Sequence, residues 1–369
     1  MEQQMKQILS KFKYDGEPYS CDIYGNGHIN TTYKVECKQG DKTARYILQR
    51  INNNIFPDTA ALMENIENVT AFLKDKIIKC GGDVLRETLN IVPTVDGKNY
   101  YTDKNGRNWR SYIFIEDTVC YEKIEKPEDF YNCGYAFGNF QKLLSNFPAA
   151  KLHEVIPNFH NTPTRYETFK KAVSADICGR AESVREEIDF VNAHASDMSL
   201  LTDMLKKGEI PLRVTHNDTK LNNCMFDKAT GKTICVIDLD TVMPGLRAYD
   251  YGDSIRFGAT TGAEDEPDLS KVNFSLPLFE SYTKGFIKAC GESMDDKEAL
   301  SLPIGAKIMT LECGMRFLTD YLEGDTYFKI SHENHNLDRC RTQFKLVSDM
   351  ENMWDKMNEI VMREFEKGK

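Results

Sequence analysis

Apolar and polar residues alternate with a period of two through the first third of the chain, in short runs broken at turns. Residues 20–24 and 31–36 flank Gly25-Asn26-Gly27-His28-Ile29-Asn30 and predict a hairpin, and a turn at Gln39-Gly40-Asp41 leads into a third strand over 44–50. Pro57 and Asp58 then open a helix whose apolar positions Leu62, Ile66, Val69 and Leu73 recur at helical spacing. Two more strands are predicted over 91–95 and 109–115. From about residue 121 the helical period takes over, as in 130–144 and 182–193, and a strand, loop and strand interrupt it over 211–240. Helices return over 304–321 and in a last amphipathic stretch over 342–366. This order predicts an α+β chain: a strand-rich lobe over 1–116 and a helix-rich lobe over 117–369, joined at Tyr112-Ile113-Phe114-Ile115-Glu116.

Composition narrows the class. With 369 residues, 41% of them hydrophobic and 28% charged, the chain is long enough for a large core and about two domains. A net charge of −10 and a pI near 5.4 leave no broad basic surface for nucleic acid or anionic lipid. No apolar run is long enough for a membrane span and residues 1–15 carry no signal-like core, so the expected location is the cytoplasm. Eleven cysteines without a C-x-x-C pair fit reduced, packed thiols. His332-x-x-His335 lacks the neighbouring ligands of a zinc site. Oligomeric state is not legible.

The chemistry concentrates in one block. An apolar strand runs into His216-Asn217-Asp218-Thr219-Lys220-Leu221-Asn222-Asn223, and a second strand ends in Ile237-Asp238. Phosphoryl transfer asks a protein mainly for positioning and charge, plus a carboxylate to take the acceptor hydroxyl's proton. Asp218 fits that base, and Lys220 fits a cation beside the moving phosphoryl group. Asn223 and Asp238 supply hard oxygens of the kind Mg²⁺ prefers. His216 reads as a buried strut rather than a base.

This arrangement resembles the catalytic and metal-binding loops of kinase-like phosphotransferases. Taken with Gly25 to Tyr33, Tyr46-Ile47-Leu48-Gln49, Asn54-Ile55-Phe56-Pro57-Asp58 and Glu312-Cys313-Gly314-Met315-Arg316-Phe317, the chain is similar over nearly its whole length to the anomeric sugar kinases of the aminoglycoside phosphotransferase and choline kinase superfamily, the N-acetylhexosamine 1-kinases. The resemblance implies a two-lobe protein-kinase-like fold. It implies ATP- and Mg²⁺-dependent phosphorylation of N-acetylglucosamine or N-acetylgalactosamine at the C1 hydroxyl. It assigns Asp250, in Ala248-Tyr249-Asp250-Tyr251-Gly252-Asp253, as the brace beneath the loop. Gly25, Gly27, Gln49, Ile113 and Ile115 become nucleotide-binding candidates, and His28, Asp253 and Arg316 acceptor-binding ones. For Asp253 a plain helix charge, and for Arg316 an ion-pair ladder with Glu312 and Asp320, are the structural alternatives.

One departure stands out. Where the wider superfamily puts a Lys or Arg on the third strand, this chain has Gln49, with Arg50 facing the other way. Either Gln49 holds phosphate as a neutral donor or Lys220 and Mg²⁺ supply the charge. Gly231-Lys232-Thr233 mimics the end of a phosphate loop, but Phe226 occupies the required earlier glycine position. The rival readings are a kinase of the same fold for an aminoglycoside, choline or another sugar, and an inactive nucleotide-binding regulatory protein.

Overall fold

The computed structural model describes residues 3–25, 29–124 and 126–368, as two compact units. The first takes Met1–Val119 together with Lys151–Pro157 and Met225–Met243. Its main sheet is antiparallel, in the order Glu17–Ile23, Thr31–Gln39, Lys42–Arg50, Asn108–Ile113 and Ile91–Val92, with Tyr101–Thr102 also paired to Asn108–Ile113. Strand alternation sorts the faces. Val35, Cys37, Tyr46, Leu48 and Trp109 share one buried face, which the N-terminal helix Gln3–Leu9 covers with Ile8 and Leu9. The sequence pattern does not predict that short helix.

The helix Thr59–Lys79 starts where expected: the Asp58 side chain accepts the Ala61 N–H at 3.0 Å, satisfying one of the donors a helix start leaves open. It buries Leu62, Met63, Ile66, Val69 and Leu73. It also carries a buried Asn65, which binds both inserted segments. Asn65 Nδ2 donates to the His153 carbonyl at 2.9 Å and the Val242 carbonyl at 3.0 Å, and its Oδ1 accepts the His153 N–H at 2.9 Å. A second small sheet, Thr233–Val236, Cys224–Asp227 and Thr118–Val119, completes this unit.

The second unit, Cys120–Ala150, Asn158–Cys224 and Pro244–Lys369, is helical. Two close helix crossings organise it. Gly134 and Gly138 of Pro127–Leu143 lie against the backbone at Tyr282 and Phe286 of Leu276–Cys290. Gly252 of Arg247–Gly258 lies against the Gly305 carbonyl of Asp296–Leu322, and Gly305 against the Ala248 carbonyl. At both crossings there is no room for a Cβ, so backbone meets backbone.

The expected last helix over 342–366 is two helices, His335–Asn352 and Trp354–Gly368, divided at Met353. The first packs on Asp296–Leu322, and the second on Leu276–Cys290 as well as on Asp296–Leu322. The second helix thus gains a partner that the first lacks, and tertiary packing overrides a continuous helical pattern. The stretch over 182–193 likewise divides into a 3₁₀ turn, Ala181–Val184, and the helix Arg185–Ala193. Among the described residues no helix is long and apolar enough to cross a membrane.

The Gly252–Gly305 crossing yields a test. Gly305→Ala places a methyl group on the Ala248 carbonyl, so the helices must separate. The expected loss is about 1–3 kcal/mol, seen as a lower thermal midpoint. An unchanged midpoint contradicts the close approach.

Candidate active site

In the helical unit the loop after the strand Arg213–Thr215 is fixed from below by Asp250. This fully buried carboxylate accepts the backbone N–H groups of His216 and Asn217, at 2.9 and 2.8 Å, and the Gln141 amide at 2.6 Å. Burial pushes the Asp250 carboxyl up, against the opposing pull of His216 and these donors. Asn217 adopts a left-handed φ of 64°, which turns the chain sharply. His216 is also fully buried, edge-on to Phe137 and Phe140, and its Nδ1 accepts the Asp218 N–H at 3.3 Å.

Thr219 is pinned on three sides. Its N–H donates to Asp253 at 3.0 Å, its hydroxyl to the Asp250 carbonyl at 2.7 Å, and its carbonyl accepts the Ser254 hydroxyl at 2.8 Å. Asp218, beside this anchor, is the one acid of the three with an open flank, its side chain 27% exposed. Lys220 Nζ lies 2.7 Å from Asp218 Oδ1, and Asn223 Nδ2 donates to Asp218 Oδ2 at 3.1 Å and to its carbonyl at 2.8 Å. Burial alone would lower the Lys220 ammonium; Asp218 outweighs it and the net direction is up, so the charge persists. With Nδ2 so held, the Asn223 carbonyl oxygen is the side of the amide left for a ligand.

Asp253 is largely committed. One oxygen takes the Thr219 N–H, and the other pairs with Arg256 at 3.0 Å. Burial raises its carboxyl, but Arg256 and Lys220 win and hold it below the usual carboxylate range. Arg256, which pattern reading does not single out, also pairs with Glu264 at 2.6 Å.

In the sheet unit the missing strand cation has a counterpart next door. Arg110 stands directly across from Gln49 in the strand register. Its Nε and Nη2 donate to Gln49 Oε1 at 3.0 and 2.8 Å, and its Nη1 lies 2.5 Å from Asp240 Oδ1. Gln49 in turn donates to Thr32 Oγ1 at 3.1 Å, and Asn30 donates to Asp240 Oδ2 at 2.6 Å. Burial works against the Arg110 charge, but Asp240, with Asp238 farther off, overcomes it and pushes the guanidinium's pKa up. Asp238 itself takes a left-handed φ of 62° and opens the turn Leu239–Thr241. Gly25 has the positive φ of 73° that favours glycine; Gly27 and His28 lie outside the described residues. Ile113 closes its strand opposite Tyr46, and the buried Ile115 gives its carbonyl to the Thr118 hydroxyl at 2.9 Å.

The sequence pattern of a phosphotransferase enzyme family, the APH family, matches residues 21–282, a span that holds both the 216–223 loop and Asp238. The chain belongs to that family. Solved structures show the same fold at low identity. An aminoglycoside phosphotransferase of Alicyclobacillus acidocaldarius matches with a TM-score of 0.57 at 12% identity, over 100% of this chain and 96% of its own. An ethanolamine kinase of Plasmodium vivax matches at 0.53 and 16%, over 88% of this chain and 82% of its own. A spectinomycin phosphotransferase, solved with ADP and spectinomycin, matches at 0.52 and 14%, over 99% and 98%.

Within this phosphotransferase, Arg316 forms no ion-pair ladder. Glu312 is buried and taken by His160 and Thr162, and Asp320 accepts the backbone N–H groups of Thr326, Tyr327 and Phe328. The Arg316 guanidinium lies instead over Phe159, Phe328 and Tyr327, 5.5–6.0 Å from the ring centroids, with no hydrogen bond or ion pair among the described residues. Arg165 is close enough to feel its charge: burial first, and Arg316 second, push the Arg165 guanidinium's pKa down. Arg165 has no carboxylate partner among the described residues, and its Nε is buried without a hydrogen bond.

Two other clusters are already satisfied. Lys307 reaches both Asp197 and Glu351 at 2.8 Å, filling the one group of three possible metal ligands found among the described residues, His194, Asp197 and Glu351. His332 and His335 each have an acid, Asp338 at 3.0 Å and Asp265 at 3.1 Å.

Arg110→Met tests the charge network of the sheet unit. The apolar replacement leaves Asp240 buried without its cation, so stability is expected to fall by about 3–5 kcal/mol in urea unfolding. Adding Asp240→Asn should recover much of that loss. A mild single-variant effect, or no recovery, refutes the pairing.

Proposed function

We propose that this phosphotransferase moves the γ-phosphoryl group of ATP to the anomeric C1 hydroxyl of an N-acetylhexosamine, N-acetylglucosamine or N-acetylgalactosamine, giving the sugar 1-phosphate. The observation that most supports this acceptor is the pair Arg165 and Arg316, two neighbouring guanidiniums without carboxylate partners among the described residues. Such a pair repels a cationic choline or aminoglycoside and suits hydroxyl and acetamide oxygens. Arg316 is assigned to the acceptor, and Asp253 offers it whatever lone pair Thr219 and Arg256 leave. His28 is carried as a further acceptor contact on the resemblance alone.

In the proposed reaction Asp218 accepts the C1 hydroxyl proton as the anomeric oxygen bonds to the γ-phosphorus. The bond from that phosphorus to the oxygen bridging it to ADP breaks, and ADP leaves with the electron pair. A hemiacetal hydroxyl is more acidic than an ordinary alcohol and asks less of the base. Lys220, kept cationic beside Asp218, sets positive charge near the transferring group. His216 and Asp250 hold the base in place. Gly25, Gly27, Gln49, Ile113 and Ile115 are assigned to the nucleotide, and Arg110 supplies the sheet's positive charge.

Asn223, through its carbonyl oxygen, and Asp238, through its carboxylate, each offer a hard oxygen of the kind Mg²⁺ prefers, and both are assigned to it. Mg²⁺ held by these residues would neutralise phosphate charge. All eleven cysteines are free thiols, which supports action in a reducing compartment, the cytoplasm.

Asp218→Asn is nearly isosteric and is expected to keep the fold and ATP binding while turnover falls about 10²–10⁴-fold. Near wild-type turnover refutes the base assignment. Arg316→Ala should raise the acceptor KM about tenfold to a hundredfold and leave the ATP KM little changed, the effect of losing one charge-assisted bond. The deciding assay incubates the protein with ATP·Mg²⁺ and a panel of sugars, amino alcohols and aminoglycosides, then maps the phosphate on the product. Phosphate on C6, or a good aminoglycoside or choline product beside no sugar product, overturns this reading.

A further inference from the structure

His160 has two ends that differ in kind. Its Nδ1 lies 2.9 Å from Glu312 Oε1, and Glu312 Oε2 accepts the Thr162 hydroxyl at 2.6 Å. Glu312 is fully buried. Burial would raise its carboxyl, but His160, Arg316 and Thr162 together hold it below the usual carboxylate range. An ionised carboxylate can only accept, so the imidazole donates at Nδ1 and its orientation is fixed. The ring is braced by Phe159, at 4.5 Å between centroids, and Tyr249, at 5.3 Å.

The other end is bare. His160 Nε2 is buried and meets no hydrogen-bond partner among the described residues, although the side chain as a whole is only 10% exposed. Buried polar atoms are nearly always satisfied, so an imidazole nitrogen held rigidly without a partner points to a group that arrives from outside. What lies around it narrows the visitor. The ring it packs on, Tyr249, belongs to the helix Arg247–Gly258, which also carries Asp250 and Asp253, and Asp253 holds the Thr219 N–H beside Asp218. Arg316 stands one helical turn beyond Glu312.

We propose that His160 is a specificity-determining residue for the acceptor, its Nε2 exchanging a hydrogen bond with an acceptor hydroxyl other than the one phosphorylated. A hydroxyl is the natural match, since it satisfies Nε2 as donor or as acceptor. The inference rests on the acceptor reading above, but it requires only a polyhydroxy acceptor and not a particular sugar. Residues 152 positions apart in sequence build it, which is why the motif reading passes over His160.

Two substitutions separate the ends of the ring. His160→Asn keeps an N–H where Nδ1 was and removes Nε2; His160→Gln keeps a polar atom where Nε2 was and gives up the bond to Glu312. The Asn variant should hold its thermal midpoint and raise the acceptor KM about tenfold, with the ATP KM unchanged. The Gln variant should lose stability and keep acceptor KM within a few fold. Monodeoxy analogues of the acceptor add a cycle: one of them should cost the wild type about tenfold and the Asn variant nothing further. An Asn variant with unchanged acceptor KM, or with full additive losses for every deoxy analogue, overturns the proposal.

If the preferred acceptor is not an N-acetylhexosamine, the same cycle is run with the acceptor found, so the two readings fail separately. If the variants do not fold, or no acceptor turns over, ¹⁵N-histidine NMR of the wild type decides. A shift of the His160 Nε2 resonance on saturation with a panel sugar supports the proposal, and no shift with any of them overturns it.

Discussion

The position of the loop that carries Asp218 depends on one carboxylate beneath it. Asp250 takes two consecutive backbone N–H groups and a glutamine amide in a fully buried setting, where an unpaired donor or acceptor costs about 1–3 kcal/mol. A loop tied in this way has one conformation. Thr219 then adds its own three bonds to the same helix, Arg247–Gly258, so the residues on either side of it, Asp218 and Lys220, are held on a short rigid span. Strain at Asn217 belongs to the same economy of form: a left-handed residue persists because its surroundings over-determine it.

The sheet unit solves a different problem with the same material. A cation can reach a given point on a sheet from either of two neighbouring strands, because side chains opposite each other in register lie about 5 Å apart. The chain replaces the usual third-strand base with Gln49 and places Arg110 across from it. Gln49 becomes the residue that orients the guanidinium, and Asp240 neutralises it. The positive charge thus sits one strand over, directly across from Gln49.

This explains which parts of the molecule could be read in advance. The strands and the helix after Asp58 were legible because alternation, spacing and capping are local, and the cluster around Asp218 because its members lie within six residues of one another. Arg110 was not legible, since its partner is found only through strand register, 61 positions away. His160, in the turn before the helix Thr162–Ala175, is the same case with Glu312, 152 positions away. The break at Met353 was hidden because both halves of the pattern are helical, and the packing of the second half on Leu276–Cys290 is not a local property. For Arg316 the carboxylates at helical spacing suggested a ladder, whereas each of them has better-placed donors elsewhere.

The glycine crossing has a mechanical consequence. Helix Arg247–Gly258 carries the two acids that hold the loop, and helix Asp296–Leu322 carries Glu312 and Arg316; the two touch where Gly252 meets Gly305. Arg316 is eleven residues beyond that fulcrum, roughly 16 Å along the axis at 1.5 Å per residue. A tilt of about 5° at the glycines therefore swings Arg316 by roughly 1.4 Å, while Asp250, close to the pivot, scarcely moves. Misplacement on the order of 1 Å is enough to cost a hundredfold in rate. Two glycines thus set the calibration of a lever, with Asp250 near its pivot and Arg316 toward its tip.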